Sequence, residues 1–181
     1  MKEYNFIYTG NAYPHKNLKR AIEAIKQLNK TTDQKIIFNI VSSRNVFTAR
    51  LEKIIKKLKA EEFVKLLGYV SDSELTILYK NSTGFLYPST YEGFGLPGLE
   101  AMKAGTIVLA SDIPIFREVY ADNQIYFDPY SVGSIAKALE EVIAMPKSER
   151  ELRIKKAKEF IKKYSWRKMA QETLEVYQEF S

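Results

Sequence analysis

Short apolar runs alternate with longer amphipathic stretches along this 181-residue chain. The first run, YNFIYTG, reads as a strand ending on Gly10. KNLKRAIEAIKQLNK then places Leu18, Ile22, Ile25 and Leu28 three or four residues apart, one face of a helix. KIIFNIVSS is continuously apolar, as in a strand buried on both faces. The alternation goes on through helix VFTARLEKIIKKLKA, strand FVKLLGYV, helix SDSELTILYKN and strand TGFLYPS. Helix PGLEAMKAG, strand TIVLAS, short helix PIFREVYA, short strand QIYFD and helix SVGSIAKALEEVIAM follow. Two more helical patterns, SERELRIKKAKEFIKKY and SWRKMAQETLEVYQEF, close the chain. Ser71 with Glu74 three residues on predicts a capping box. Pro97 near the start of its helix and Gly105 past its end follow the usual asymmetry. About six strands separated by helices predict an α/β domain, a doubly wound parallel sheet of Rossmann-like type. Length predicts a single domain, residues 1–181. Such sheets bind ligands beyond the carboxyl ends of their strands. The turns at Gly10, Pro88–Gly95 and Ser111–Pro114 all follow predicted strands, so they should gather at that end.

Composition narrows the chemistry. Apolar residues make up 45% and charged residues 28%, as in water-facing globular proteins. There is no cysteine and one histidine, His15, which excludes a disulfide framework, a thiolate metal site and a histidine-rich one. The N-terminus lacks the apolar segment of a secretory signal, so the expected compartment is the cytoplasm. The net charge of +6 is concentrated in PKSERELRIKKAKEFIKKYSWRK. That run reads first as a solvated helix face and second as contact with an acidic partner or the inner membrane leaflet. Nothing in the chain resembles an RNA-binding signature or interleaves a basic stripe with stacking aromatics, so no nucleic-acid partner is expected.

One loop asks for more than packing: STYEGFGLPGLEAMKAG, Ser89 to Gly105. Gly93 and Gly95 permit positive φ and close backbone approach to a ligand. A helix starting at Pro97 turns free N–H groups toward the loop, an anion site. Glu92 lies in the loop and Glu100 is expected in the first helical turn. Two carboxylates so spaced can frame one ligand at two depths, one at sugar hydroxyls and one at a diol such as ribose. The plainer alternative leaves Glu100 complementing the helix dipole and Glu92 in solvent.

The same segment, YPSTYEGFGLPGLEAMKAG, resembles the signature of the family 4 retaining glycosyltransferases, which have the two-domain GT-B fold. IYTGNAYPHKNLKRAIEAI, LLGYVSDSELTILYKNS, IVLASDIPIFREV, YFDPYSVGSIAKAL and YSWRKMAQETLEVY resemble further family segments in the family's order. The resemblance implies the C-terminal half of a GT-B fold, holding a nucleotide sugar such as GDP-mannose or a UDP-sugar, with no metal required. It implies catalytic roles for Glu92, at the donor sugar, and Lys16, at the departing diphosphate. Gly10, Asn11, Gly93, Phe94, Gly95 and Leu96 would touch sugar and diphosphate, Tyr69 and Val70 the base, and Glu100 the ribose. The family often has arginine where this chain has Asn11, which removes one of two cations; His15, Lys19 or Arg44 are candidates to compensate. The GNxxPHKN form resembles a subgroup rich in mannosyltransferases of surface polysaccharides.

A whole GT-B enzyme is about twice this length. The resemblance therefore implies a glycan or lipid-linked acceptor held by an absent N-terminal domain, and a closing helix, about 165–179, crossing to it. The chain alone would then transfer little, and the apolar face of that helix would be exposed or packed in a dimer. An alternative is a stand-alone nucleotide-sugar-binding partner subunit without transfer activity. Other GT-B enzymes lack this loop order or carry cofactor lysines not evident here, and a receiver domain would want acids after the first strand. Trp166 and the aromatic positions of the last helix read as packing residues, and Asp112 as a cap for the helix after Pro114.

Overall fold

The computed structural model describes residues 2–179. Six strands form the sheet: β1 (Glu3–Thr9), β2 (Lys35–Val41), β3 (Val64–Gly68), β4 (Gly84–Tyr87), β5 (Val108–Ser111) and β6 (Ile125–Phe127). All neighbours are parallel, in the order β3-β2-β1-β4-β5-β6. The chain starts mid-sheet, winds outward to β3, then returns to the other side of β1. The switch point therefore falls between β1 and β4, and loops leaving those strands diverge there.

Among the described residues eight α-helices accompany the sheet: α1 (Leu18–Thr31), α2 (Val46–Leu58), α3 (Asp72–Lys80), α4 (Leu96–Ala104), α5 (Pro114–Tyr120), α6 (Val132–Ala144), α7 (Lys147–Phe160) and α8 (Trp166–Glu179). α1 packs beside α2 and α6, and α4 beside α3 and α7. The predicted stripe Leu18, Ile22, Ile25 and Leu28 is buried, as are Phe6, Ile7 and Tyr8 on β1. Ser71 and Glu74 form the predicted capping box, and Asn45 with Thr48 forms a second one at α2.

Four local expectations are corrected. The helix predicted from Lys16 begins at Leu18, because a 3-10 turn (Pro14–Lys16) and Asn17, at φ 55°, precede it. Asp112 does not cap α5; its carboxylate accepts two hydrogen bonds from Arg117, at 2.6 and 2.7 Å. Trp166 is no packing residue: it is 70% exposed, and no described residue of α8 is buried. Phe180, the last residue of that predicted helix, lies outside the described residues. The fourth concerns Glu100. α4 starts at Leu96, so Glu100 is its fifth residue, past the first turn.

Glycine at position 98 is a packing requirement. A Cβ there would stand 2.3 Å from the Tyr120 hydroxyl, and Tyr120 is fully buried. Gly133, exposed on α6, would meet nothing closer than Ser131 Oγ at 3.9 Å. Gly98→Ala is expected to cost about 1–3 kcal/mol by overpacking. Gly133→Ala should be neutral or gain up to about 1 kcal/mol by restricting the unfolded chain. Urea melts of the two variants check the contrast.

Candidate functional site

Three strand-end loops meet at one side chain. Asn17 is buried, and its Nδ2 donates to the carbonyls of Pro88 (3.0 Å), after β4, and Pro129 (2.7 Å), after β6. Its Oδ1 accepts from Arg20 Nη1 at 2.9 Å. Asn17 itself ends the loop after β1, so one amide ties the exits of β1, β4 and β6. Asparagine tolerates the left-handed backbone that this position adopts. Thr90 N donates to the His15 carbonyl at 2.8 Å, a second link between the β1 and β4 loops.

That clamp sets Lys16 against Glu92, 76 residues apart, with Nζ 2.5 Å from Oε1. Both side chains are nearly buried, 11% exposed each. Lys16 Nζ also stands 5.9 Å from the centroid of the Tyr87 ring. Glu92 lies close enough to Tyr8, Tyr87 and Tyr120 to act on all three. Burial pushes each phenol well above its ordinary range, and the Glu92 carboxylate adds to the shift. The surroundings of Glu92 are thus one cation and three neutral hydroxyl-bearing rings. Glu92 is therefore not the solvated residue that the plainer reading describes.

The loop between them and α4 is built for a bare helix start. Gly95 takes φ 101° as N-cap, with no side chain capping the helix, and Tyr120 Oη donates to its carbonyl. Leu96 and Phe94 are exposed beside it. Gly93 is not held at positive φ, and a Cβ there would meet nothing within 4 Å. Its expected conformational role is therefore corrected: position 93 needs no glycine for its own backbone. Gly10 does, at φ 139°, with Tyr8 Oη 2.8 Å from any Cβ. The Tyr8 hydroxyl donates to the Asn11 carbonyl at 2.7 Å. Asn11 Oδ1 accepts from Tyr13 N at 3.3 Å.

A cleft of about 260 Å³ opens beyond the carboxyl ends of β1, β2 and β3. Gly10, Asn11, Tyr69 and Val70, four of the predicted residues, line it together with Ser42, Ser43, Asn45 and Asp72. Lys16, Glu92, Gly93, Phe94, Gly95, Leu96 and Glu100 are not among its walls. The site thus has two parts, a cleft on the β1–β3 side and an ion pair with a helix start on the β4 side. Glu100 relates the two. Burial raises its carboxyl above the ordinary range, and the nearby charge of Asp72 adds to this while Lys103 opposes it. Among the described residues, no three His, Cys, Asp or Glu side chains gather into a metal-binding set.

Sequence reasoning missed Asn17, Asp72 and the three tyrosines. Tyr8 and Tyr87 lie at or next to the last residues of predicted strands, a position that faces the ligand end of such a sheet. For Asn17 the chain offers only a polar residue at a helix boundary.

The sequence profile described as Glycosyl transferases group 1 matches residues 1–160. Over 145 residues the chain is 34% identical to the O-antigen chain mannosyltransferase RfbU of Salmonella typhimurium, covering 80% of this chain and 40% of that one. Over 171 residues it is 30% identical to O-antigen chain mannosyltransferase B of Escherichia coli, covering 94% and 45%. It therefore spans less than half the length of these relatives. In structure it superposes on sucrose-phosphate synthase from Thermosynechococcus elongatus with a TM-score of 0.87 at 20% identity, over 98% of this chain and 45% of that one. The fold is that of the C-terminal half of GT-B glycosyltransferases, and the chain belongs to the Glycosyl transferases group 1 family.

Proposed function

We propose that this chain is the donor-binding half of a retaining glycosyltransferase that moves a hexose, mannose first among candidates, from a nucleoside-diphosphate sugar to a growing surface glycan. The observation that carries the reading is the Lys16–Glu92 pair, held beside the uncapped start of α4. A diphosphate fits there because it finds a cation and free helical N–H groups together. The relatives' names, O-antigen mannosyltransferases, support the sugar and the acceptor class.

Each residue then has a task. Lys16 and the α4 start take the diphosphate and the charge it gathers as it leaves. Glu92 accepts hydrogen bonds from the donor sugar, and Gly93, Phe94, Gly95 and Leu96 lie along it. Glu100 accepts from the ribose diol. Gly10 and Asn11 border the diphosphate, and Tyr69 and Val70 border the base. Transfer needs an acceptor positioned with water excluded. In this reading those tasks belong to the other half of a GT-B cleft. Among the described residues no helix is long and apolar enough to cross a membrane.

Calorimetric titration with GDP, UDP and ADP tests the reading. One nucleotide should bind saturably. Lys16→Gln keeps a hydrogen-bond donor toward Glu92 and should weaken that diphosphate about ten-fold, the usual worth of a charge-assisted contact, while leaving the bare nucleoside unchanged. Glu100→Ala should abolish preference for the ribonucleotide over its 2′-deoxy form. A folded chain that binds none of the three overturns the proposal.

A pH series gives a second check. Glu100 is held above the ordinary carboxylate range, whereas diol hydroxyls donate best to the ionised form. Binding should therefore release protons, and affinity should fall as pH drops from 7 through that raised pKa. Glu100→Gln should flatten this part of the profile.

A further inference from the structure

We infer that Asp72 reads the pairing edge of a guanine, so that the donor is a guanosine-diphosphate sugar. The inference rests on the donor-site reading above and names the base that the site selects.

The cleft beyond β1–β3 contains no cation among its described lining residues, and Asp72 is its one charged side chain. Phosphates are disfavoured beside Asp72, so only the Gly10 and Asn11 edge of the cleft borders the diphosphate. Lys16 and the open start of α4 lie on the β4 side instead, so the uncharged end of a nucleotide points into the cleft. Tyr69, 80% exposed at its rim, offers a flat face for a base.

What the base meets next is set by which acceptors are already in use. Asn45 Oδ1 accepts from Phe47 N and Thr48 N. Asn11 Oδ1 accepts from Tyr13 N. Ser42 Oγ has no partner, but it is fully enclosed. Among the described residues the Asp72 carboxylate has no hydrogen bond or ion pair; its backbone carbonyl accepts from Thr76. Nor does α3 need this acid at its first position, since Ser71 and Glu74 already cap that end.

A carboxylate presents two acceptors side by side and no donor. Guanine alone among the common bases answers with two adjacent donors, N1–H and the N2 amino group. Uracil offers one N–H between two carbonyl oxygens, which a carboxylate repels. Adenine sets a donor beside an acceptor. Glu100 stands near enough for Asp72 to influence its ionisation. A ribose held at Glu100 therefore leaves its base within reach of Asp72.

Inosine diphosphate, which lacks only the N2 amino group, isolates the contact. Titrations of the 181-residue chain with GDP, IDP and UDP should show GDP tightest, by about ten-fold or more over the other two, as expected of a two-point base contact. Asp72→Asn keeps the side chain's shape but turns one acceptor into a donor. It should bring the GDP-to-IDP ratio near one and leave UDP unchanged, with an unaltered melting temperature. UDP binding as tightly as GDP to the unaltered chain overturns the inference while leaving the donor site standing. So does a GDP-to-IDP ratio that Asp72→Asn does not move. Binding of no nucleotide at all overturns the donor-site reading and the inference with it.

Discussion

The arrangement of the site depends on one buried amide. Asn17 holds the exits of β1, β4 and β6 together through two donated hydrogen bonds and one accepted. Those strands are distant in sequence, and parallel neighbours in such a sheet are free to send their loops apart at a switch point. Without a tie, a lysine after β1 and a glutamate after β4 have no reason to meet. The left-handed backbone at Asn17 serves the same end. It stops the 3-10 turn and starts α1 one residue later, which turns Lys16 inward rather than along the helix.

The two parts of the site differ in electrostatic character, and the sheet topology explains why. On the β4 side the chain enters a helix through Gly95 with no side-chain cap, leaving a partial positive charge beside Lys16. On the β2–β3 side the starts of α2 and α3 are closed by the Asn45–Thr48 and Ser71–Glu74 capping boxes, and the Asp72 carboxylate is left as an acceptor. A ligand anionic at one end and rich in donors at the other has one favourable direction in which to lie.

Much of this was legible in the chain. Alternating apolar and amphipathic stretches implied the parallel sheet, the Ser71 box was visible as a pattern, and the EGFGLP loop drew attention to Glu92 and Glu100. What was not legible depended on distant partners. Lys16 looks like a helix-start lysine until Glu92 is placed against it. Asn17 needs carbonyls from two other loops before its role exists. Gly93 and Gly95 look equivalent, yet only Gly95 has the backbone that requires glycine. Trp166 has the spacing of a core residue, but α8 presents its apolar positions outward. Periodicity reports that a face is apolar and says nothing about what covers it.

The Lys16–Glu92 contact has a consequence for selectivity. The two charges cancel in nearly buried surroundings. An anion that draws Lys16 toward itself leaves a carboxylate facing three tyrosine rings without its cation. Leaving such a group unmatched is unfavourable. A ligand that brings hydroxyl groups along with its anionic part supplies new donors to Glu92; a bare anion does not. On the donor-site reading proposed above, the pair works as a gate with two conditions, favouring molecules that carry sugar and diphosphate joined.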